Sequence, residues 1–174
     1  MIFVRHAMPT LDPATPPTAW PLSAQGRTAA RALRLPERAY LVASDEPKAA
    51  ETLRYAVPGA PVHQDPGFGE VRRPPAWQPD HRALARAYVA GTHVPDGWEP
   101  PAAVTARFSA AVERHLTRAG NRTLVVATHG MALTCWLSTH ALITGEPAEF
   151  WAALRFPDLV AAPRAQVTRA LGKR

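Results

Sequence analysis

The sequence predicts an α/β protein with three α/β/α layers, in which a mainly parallel central sheet lies between two layers of helices. Short apolar, β-prone runs occur at residues 1–4, 40–43 and 123–128, and longer segments with helical spacing separate them. The runs are apolar without interruption, which is typical of parallel strands covered on both faces. Polar residues follow each run directly, at the end of the strand where α/β sheets bind their ligands.

Each element has a local signal. A proline-rich loop extends to about residue 22, and Ser23 is the predicted N-cap of a helix over residues 24–33. The second strand stops at Ser44 and Asp45, a predicted N-cap before a helix that has Pro47 in its first turn and ends near residue 55. A weaker strand is expected at 61–64. Further helices are expected at 80–90, 101–118 and from residue 130 to about 142, whereas the chain after residue 148 gives no clear pattern.

The composition fits one domain over residues 1–174 with an ordinary apolar core. Hydrophobic residues make up 47% of the 174-residue chain, and its single cysteine, Cys135, lies in an apolar run that predicts a core position. No signal-peptide pattern and no apolar run of about 18 residues is present, so we expect a soluble, cytoplasmic protein with no membrane partner.

The charge balance favours acidic ligands. The formal net charge is +6 and the sequence pI is about 10.4. The basic residues are scattered rather than grouped in runs, so a nucleic-acid partner is not expected, although the pI alone would allow one. The oligomeric state stays open.

Three strand ends carry the residues that suggest chemistry. Arg5 and His6 follow the first strand, Lys48 lies one turn beyond the second, and His129 follows the strand at 123–128. Because the carboxyl ends of parallel strands meet at one edge of a sheet, we expect these side chains to share a pocket. A positive pocket with two imidazoles suits a phosphoryl group.

Five segments in order resemble the histidine phosphatase superfamily, the phosphoglycerate mutase-like and acid phosphatase-like proteins. They are FVRHA at residues 3–7, PLSAQGR at 21–27, ASDEPKAAET at 43–52, FGE at 68–70 and VVATHG at 125–130. Each segment is short, but their order and spacing both fit. The resemblance implies a phosphoglycerate mutase-like fold.

The resemblance also implies roles for individual residues. His6 would attack phosphorus and form a phosphohistidine, while Arg5, Lys48 and His129 would hold the phosphate oxygens. Glu70 would protonate the leaving oxygen and then activate the hydrolytic water, which makes His6, Glu70 and His129 the catalytic candidates. Neither a cofactor nor a metal ion is implied.

Several residues depart from the family pattern or leave alternatives open. Lys48 stands where the family usually has arginine, and lysine lacks the planar two-pronged grip on phosphate oxygens. Asp12, where many relatives carry asparagine, would repel phosphate unless it points away or pairs with an arginine. Ser44 is a candidate for phosphate contact or for helix capping. Arg72 and Arg73 have two interpretations: they bind a second anionic group of the substrate, or they lie in a solvated loop without contacting it. Three tryptophans lie in proline-rich loops, and we expect them either to line the mouth of the site or to pack beneath those loops: Trp20, Trp77 and Trp98.

The leading hypothesis is a metal-independent phosphomonoesterase that acts on a small phosphorylated metabolite. A mutase would share the first half-reaction but needs a closed pocket that excludes water, and the chain is short for such a lid. A third alternative is a protein of the same fold that binds phosphorylated ligands without turnover, which the lysine at position 48 keeps open.

Overall fold

A computed structural model describes residues 1–76 and 78–172. Trp77, one of the three tryptophans considered for the mouth of the site, lies outside the described residues. The strands are β1 Ile2–Arg5, β2 Tyr40–Ala43, β3 Val62–Gln64, β4 Leu124–Thr128 and β5 Asp158–Ala161. The helices are α1 Ala24–Arg31, α2 Pro47–Ala56, α3 His81–Val89, α4 Pro101–Ala119, α5 Gly130–Thr139, α6 Pro147–Ala153 and α7 Arg164–Leu171.

The five strands form one sheet in the order β3-β2-β4-β1-β5. β1 and β2 both pair with β4 in parallel, β3 pairs with β2 in parallel, and β5 pairs with β1 in the antiparallel sense. β2 and β4 are buried along their whole length, as their uninterrupted apolar sequences predict. The predicted mainly parallel sheet is confirmed.

Alternate strand residues bury their side chains against two separate helix layers. Phe3, Val42 and Val126 belong to the core under α3, α4 and α5, whereas Val4 and Val125 pack with α2 on the opposite face. α1 packs against α2, and Gly26 of α1 approaches the carbonyl of Met8 so closely that a Cβ atom would lie 2.1 Å from its oxygen. The predicted three-layer α/β/α fold is therefore confirmed.

Two helix starts show how capping works in this chain. Ser23 caps α1 as predicted, because its hydroxyl accepts the N–H of Gly26 at 3.0 Å. The predicted cap of α2 at Ser44 and Asp45 is wrong, since the N-cap is Glu46 and the hydroxyl of Ser44 accepts the N–H of Glu46 one residue before the helix.

The C-terminal part of the fold was not predicted. α6, β5 and α7 all lie after residue 146, and β5 is a half-exposed edge strand that pairs with β1. Cys135 is buried in α5, as expected. None of the helices in the described part of the chain is long and apolar enough to cross a membrane.

Candidate active site

The strand register brings distant parts of the sequence to one edge of the sheet. Arg5 is the Cα partner of Thr128 in β4, and Ala43 is the partner of Ala127. The ladder continues for one residue beyond the strands: the N–H of His6 donates to the carbonyl of Thr128 at 3.0 Å. As a result, the residues that follow β1, β2 and β4 surround one cavity of about 760 Å³.

His6 lies in this cavity as a neutral imidazole of defined tautomer. Its Nδ1 is 2.7 Å from the carbonyl oxygen of Ala7, and because that oxygen can only accept, Nδ1 carries the proton. Burial, together with nearby His129 and Lys48, holds the pKa of His6 well below its ordinary value. Nε2 therefore keeps its lone pair, which is the form that a nucleophile requires.

Arg5 supplies a fixed positive charge beside His6. Its guanidinium donates to the carbonyl of Leu154 at 2.6 Å and lies 3.6 Å from the ring centre of Phe156. Burial lowers the pKa of Arg5 to about 10, so the group is still charged at neutral pH. Its Nε is buried and has no hydrogen-bond partner within the described residues.

The ring of His129 is held in place by a hydrogen bond with Ser44. The hydroxyl of Ser44 lies 2.8 Å from Nε2 of His129, and both residues are completely buried. Ser44 was a candidate for phosphate contact or for helix capping; it is not among the residues that line the cavity, and its hydroxyl positions His129. Burial and Lys48 hold the pKa of His129 well below its ordinary value, and its Nδ1 has no partner among residues 1–76 and 78–172.

Lys48 reaches the cavity from the first turn of α2, where it is buried. Its ammonium group donates to the carbonyl of Pro17 at 2.7 Å and forms an ion pair with Glu46. The sequence suggested Lys48 as a ligand for phosphate but gave no role to Glu46. In the structure Glu46 also lines the cavity, with Oε1 at 3.3 Å from Nε2 of His129.

Glu70 lines the cavity and caps α5. Its Oε1 accepts the N–H groups of Val71 and Ala132 at 2.9 Å, and its Oε2 accepts the N–H of Met131 at 3.2 Å. Two of these donors, Met131 and Ala132, lie at the N-terminus of α5, and together with Val71 they fix the position of the carboxyl group. The sequence placed Glu70 at the site but did not predict this anchoring.

Arg107 is a residue of the site that sequence reasoning missed. It lies on α4, and its guanidinium donates to the carbonyls of Gly67, Gly69 and Glu70, each at 2.9 Å. It also forms an ion pair with Glu99 at 2.8 Å. Although burial alone raises the pKa of Glu99, the bonds from Arg107 hold it below its usual value. Arg107 therefore fixes the loop that carries Glu70.

The mouth of the cavity is basic and partly aromatic. Arg72 is exposed there, while Arg73 and Arg82 lie near the rings of Trp98 and Trp151. Trp20 lines the mouth, and its indole N–H donates to the carbonyls of Asp12 and Thr15. Trp98 is buried beneath the mouth, against Tyr88.

Asp12 does not face the phosphate-binding groups. Its carboxylate accepts the N–H of Ala14 at 2.9 Å and the hydroxyl of Thr15 at 2.6 Å, and these bonds hold its pKa below the usual value. Asp12 therefore organises its own loop.

The described residues contain no cluster of three or more histidine, cysteine, aspartate or glutamate side chains that could hold a metal ion.

Known proteins resemble this chain in family and fold. The family model of the histidine phosphatase superfamily, branch 1, matches residues 1–162. No curated protein matches the sequence significantly. Among solved structures, YhfR of Bacillus stearothermophilus is similar with a TM-score of 0.71 and 19% identity, over 94% of this chain and 91% of that one. A mycobacterial glucosyl-3-phosphoglycerate phosphatase is similar with a TM-score of 0.65 and 20% identity, over 87% and 82%. A phosphoserine phosphatase of Entamoeba histolytica has a TM-score of 0.60 and 14% identity, over 95% and 97%.

Proposed function

The chain belongs to the histidine phosphatase superfamily, branch 1, and from that premise we propose that it hydrolyses phosphate monoesters through a phosphohistidine on His6. The observation that carries the proposal is the state of His6. Its ring is neutral, its Nδ1 proton is fixed on the carbonyl of Ala7, and it shares one cavity with Arg5, Lys48 and His129. A buried nucleophile beside positive charge is what transfer of a phosphoryl group needs.

In the first half-reaction, the lone pair on Nε2 of His6 forms a bond to phosphorus, and the bond from phosphorus to the ester oxygen breaks. The proton on Nδ1 stays in place, so the carbonyl of Ala7 stabilises the positive charge that the ring acquires. The unpartnered Nε–H of Arg5 is suited to a phosphate oxygen, and so is Nδ1 of His129 in the tautomer in which Nδ1 carries the proton and Nε2 accepts from the hydroxyl of Ser44.

Proton transfer is the proposed role of Glu70. A protonated Glu70 gives its proton to the leaving oxygen, and the resulting carboxylate then accepts a proton from the water that attacks the phosphohistidine. Cleavage of the bond between phosphorus and nitrogen releases inorganic phosphate and restores neutral His6. The N–H groups of Val71, Met131 and Ala132 hold the carboxyl group of Glu70 in place for both half-reactions.

The shape and charge of the cavity favour a small phosphorylated metabolite with a second anionic group. About 760 Å³ is far more than a phosphate group fills, and the basic side chains of the mouth lie beyond the phosphate-binding groups. Arg72, Arg73 and Arg82 are the proposed contacts for the second anionic group. Because arginine and lysine provide the positive charge, we propose that the reaction needs no metal ion.

The test is hydrolysis of p-nitrophenyl phosphate in the presence of EDTA. We expect activity that resists EDTA in the wild type and in His93→Ala, which removes an exposed histidine, and no activity in His6→Ala. Equal activity in His6→Ala and the wild type would refute the phosphohistidine.

A second candidate function is binding of phosphorylated ligands without turnover. The ion pair between Lys48 and Glu46 favours it, because Glu46 competes with phosphate for the ammonium group. Tight binding of inorganic phosphate together with no hydrolysis of any phosphate monoester in a metabolite panel would support this alternative over the enzyme.

A further inference from the structure

Glu46 is a carboxylate inside a pocket that is proposed to bind an anion. It is the N-cap residue of α2, it is 8% exposed, and it lines the cavity beside Lys48 and His129. Because like charges repel strongly where water is excluded, a buried glutamate here opposes the binding of phosphate.

The contacts of Glu46 engage the groups that are proposed to hold phosphate. Its Oε2 pairs with Nζ of Lys48, and its Oε1 lies 3.3 Å from Nε2 of His129. Oε1 also accepts the backbone N–H of Glu70 at 2.9 Å, which fixes the carboxylate in place. An ammonium group has three N–H donors, and Lys48 already uses two of them on Glu46 and Pro17. One donor of Lys48 is therefore left for phosphate.

The charges of Arg5, Lys48, Glu46 and Glu70 offset one another before a ligand enters. Arg5 and Lys48 are positive, the carboxylates of Glu46 and Glu70 are negative, and the pKa shifts of His6 and His129 keep both rings neutral. A phosphate monoester carries nearly two negative charges at pH 7, because its second pKa is about 6. These four groups and the two neutral rings thus do not balance a dianion by themselves, and the further positive charge lies on the arginines at the mouth of the cavity.

We propose that Glu46 couples phosphate binding to the uptake of one proton, which Glu46 and an oxygen of the bound phosphate then share. This inference rests on the proposed function of the pocket. It makes Glu46 the residue that determines in which protonation state the phosphate ligand binds. The bound complex contains the carboxylate, the dianion and one proton from solvent, so charge and atoms balance. Affinity for phosphate accordingly rises as the pH falls.

The other titratable and charged groups around Glu46 differ in their effects. They are Asp45 and Lys48 on its own segment, Glu70 and Arg73 on the loop after β3, Arg5 and His6 at the end of β1, His129 at the end of β4, and Arg107 on α4. Glu46 differs from the other carboxylates in this set by its direct contacts with Lys48 and His129. Asp45, its neighbour in sequence, is exposed and lines the same cavity, which makes it the matched control.

The experiment measures the binding of inorganic phosphate by calorimetry at about pH 6 and about pH 8. It compares the wild type with Glu46→Gln and with Asp45→Asn, two variants that remove the same charge from adjacent residues. Comparison at a fixed pH cancels the titration of phosphate itself. We expect Glu46→Gln to bind phosphate at least ~10-fold more tightly than the wild type at the higher pH, and by a smaller factor at the lower pH. Asp45→Asn should stay within about two-fold of the wild type, because solvent screens its charge.

Three results would overturn the inference: equal or weaker binding by Glu46→Gln at the higher pH, an affinity ratio that does not change with pH, or an equal gain in Asp45→Asn. Absence of phosphate binding in all three proteins would instead refute the proposed function. Thermal unfolding establishes that Glu46→Gln is folded, and Glu46→Ala takes its place with the same expectations if it is not.

Discussion

The chemistry proposed for this site depends on the position of a single proton on His6. A backbone carbonyl one residue away, that of Ala7, fixes the proton on Nδ1, and burial keeps a second proton off the ring. The pKa of His129 is also held well below its ordinary value by burial, but this ring is held by Ser44, a side chain on a different strand end. Two buried histidines thus differ in role through their partners.

Glu70 is the residue whose role is most open to a kinetic test. If Glu70 protonates the leaving oxygen, Glu70→Gln should slow the hydrolysis of alkyl phosphates by about 100-fold or more, since an alkoxide leaves poorly without a proton. Hydrolysis of p-nitrophenyl phosphate should fall far less, because nitrophenolate leaves readily. The ratio of kcat/KM for the two substrates measures this difference. An equal loss for both would show that Glu70 does not protonate the leaving group.

At the scale of single elements, α4 fixes the position of the loop that carries Glu70 through one side chain, Arg107. Arg107 donates to three carbonyls of the segment that leads to Glu70. Arg107→Ala leaves those carbonyls and Glu99 without their charged partner, so we expect the free energy of unfolding to fall by about 2–4 kcal/mol. Arg118→Ala, an exposed arginine on the same helix, should change it by less than about 0.5 kcal/mol.

The same variant also tests whether the loop matters for catalysis. Thermal unfolding measures the first effect, and kcat well below the melting temperature measures the second. We expect Arg107→Ala to lower kcat about 10-fold through the displaced Glu70. A stable, fully active Arg107→Ala protein would contradict the positioning role.

Gly130, the first residue of α5, leaves space for the side chains of Arg5 and Trp151 because it has no side chain of its own. A Cβ atom on Gly130 would lie 3.2 Å from Cζ of Arg5 and 3.0 Å from Nε1 of Trp151. We expect Gly130→Ala to push the guanidinium of Arg5 aside and to weaken phosphate binding by about 10-fold. Gly172→Ala is the control, because its nearest neighbours lie 3.6 Å away. Calorimetry with inorganic phosphate measures both, and equal affinities would show that Arg5 has room to adjust.

The elements that the sequence predicted are those with a strong local pattern. β1, β2 and β4 are continuous apolar runs, and α4 carries apolar residues at helical spacing. β5 is short and half-exposed, and it contains Asp158, so its strand character depends on pairing with β1 rather than on its own sequence. α6 and α7 are similarly short and depend on packing against the rest of the fold.

The site was predictable where it follows strand ends and unpredictable where it depends on side-chain direction. Arg5, His6 and His129 follow buried strands, so parallel register alone brings them together. Arg107 has no such signal, because its role arises from contacts across about 40 residues of sequence. Glu46 lies inside residues 43–52, which resemble a family segment, yet only the geometry shows that its carboxylate turns toward Lys48.

At the scale of the whole molecule, buried histidines make folding sensitive to mild acid. Burial lowers the pKa of His6, His81, His115 and His129 from the ordinary value of 6.5. The unfolded chain therefore binds more protons than the folded chain below pH 6.5, and stability that is fully present above that pH is lost as the pH falls.

Thermal unfolding without phosphate should show this loss directly. We expect the free energy of unfolding to fall by roughly 2 kcal/mol or more between pH 7 and pH 5, before the carboxylates titrate. Asp65 and Glu99 contribute only at lower pH, because hydrogen bonds hold their pKa values below the ordinary 3.8 and 4.5 despite the opposing effect of burial. A melting temperature that is constant or rises from pH 7 to pH 5 would contradict this account.

The phosphohistidine itself is the central claim, and trapping it is the most direct test. The wild type is exposed briefly to a labelled phosphate monoester, quenched in base, and the label is mapped by peptide mass spectrometry. We expect an acid-labile, base-stable phosphoryl group on His6 that is absent from His6→Ala and disappears as inorganic phosphate is released. Turnover of the same substrate with no label on His6, or with the label on another residue, would contradict it.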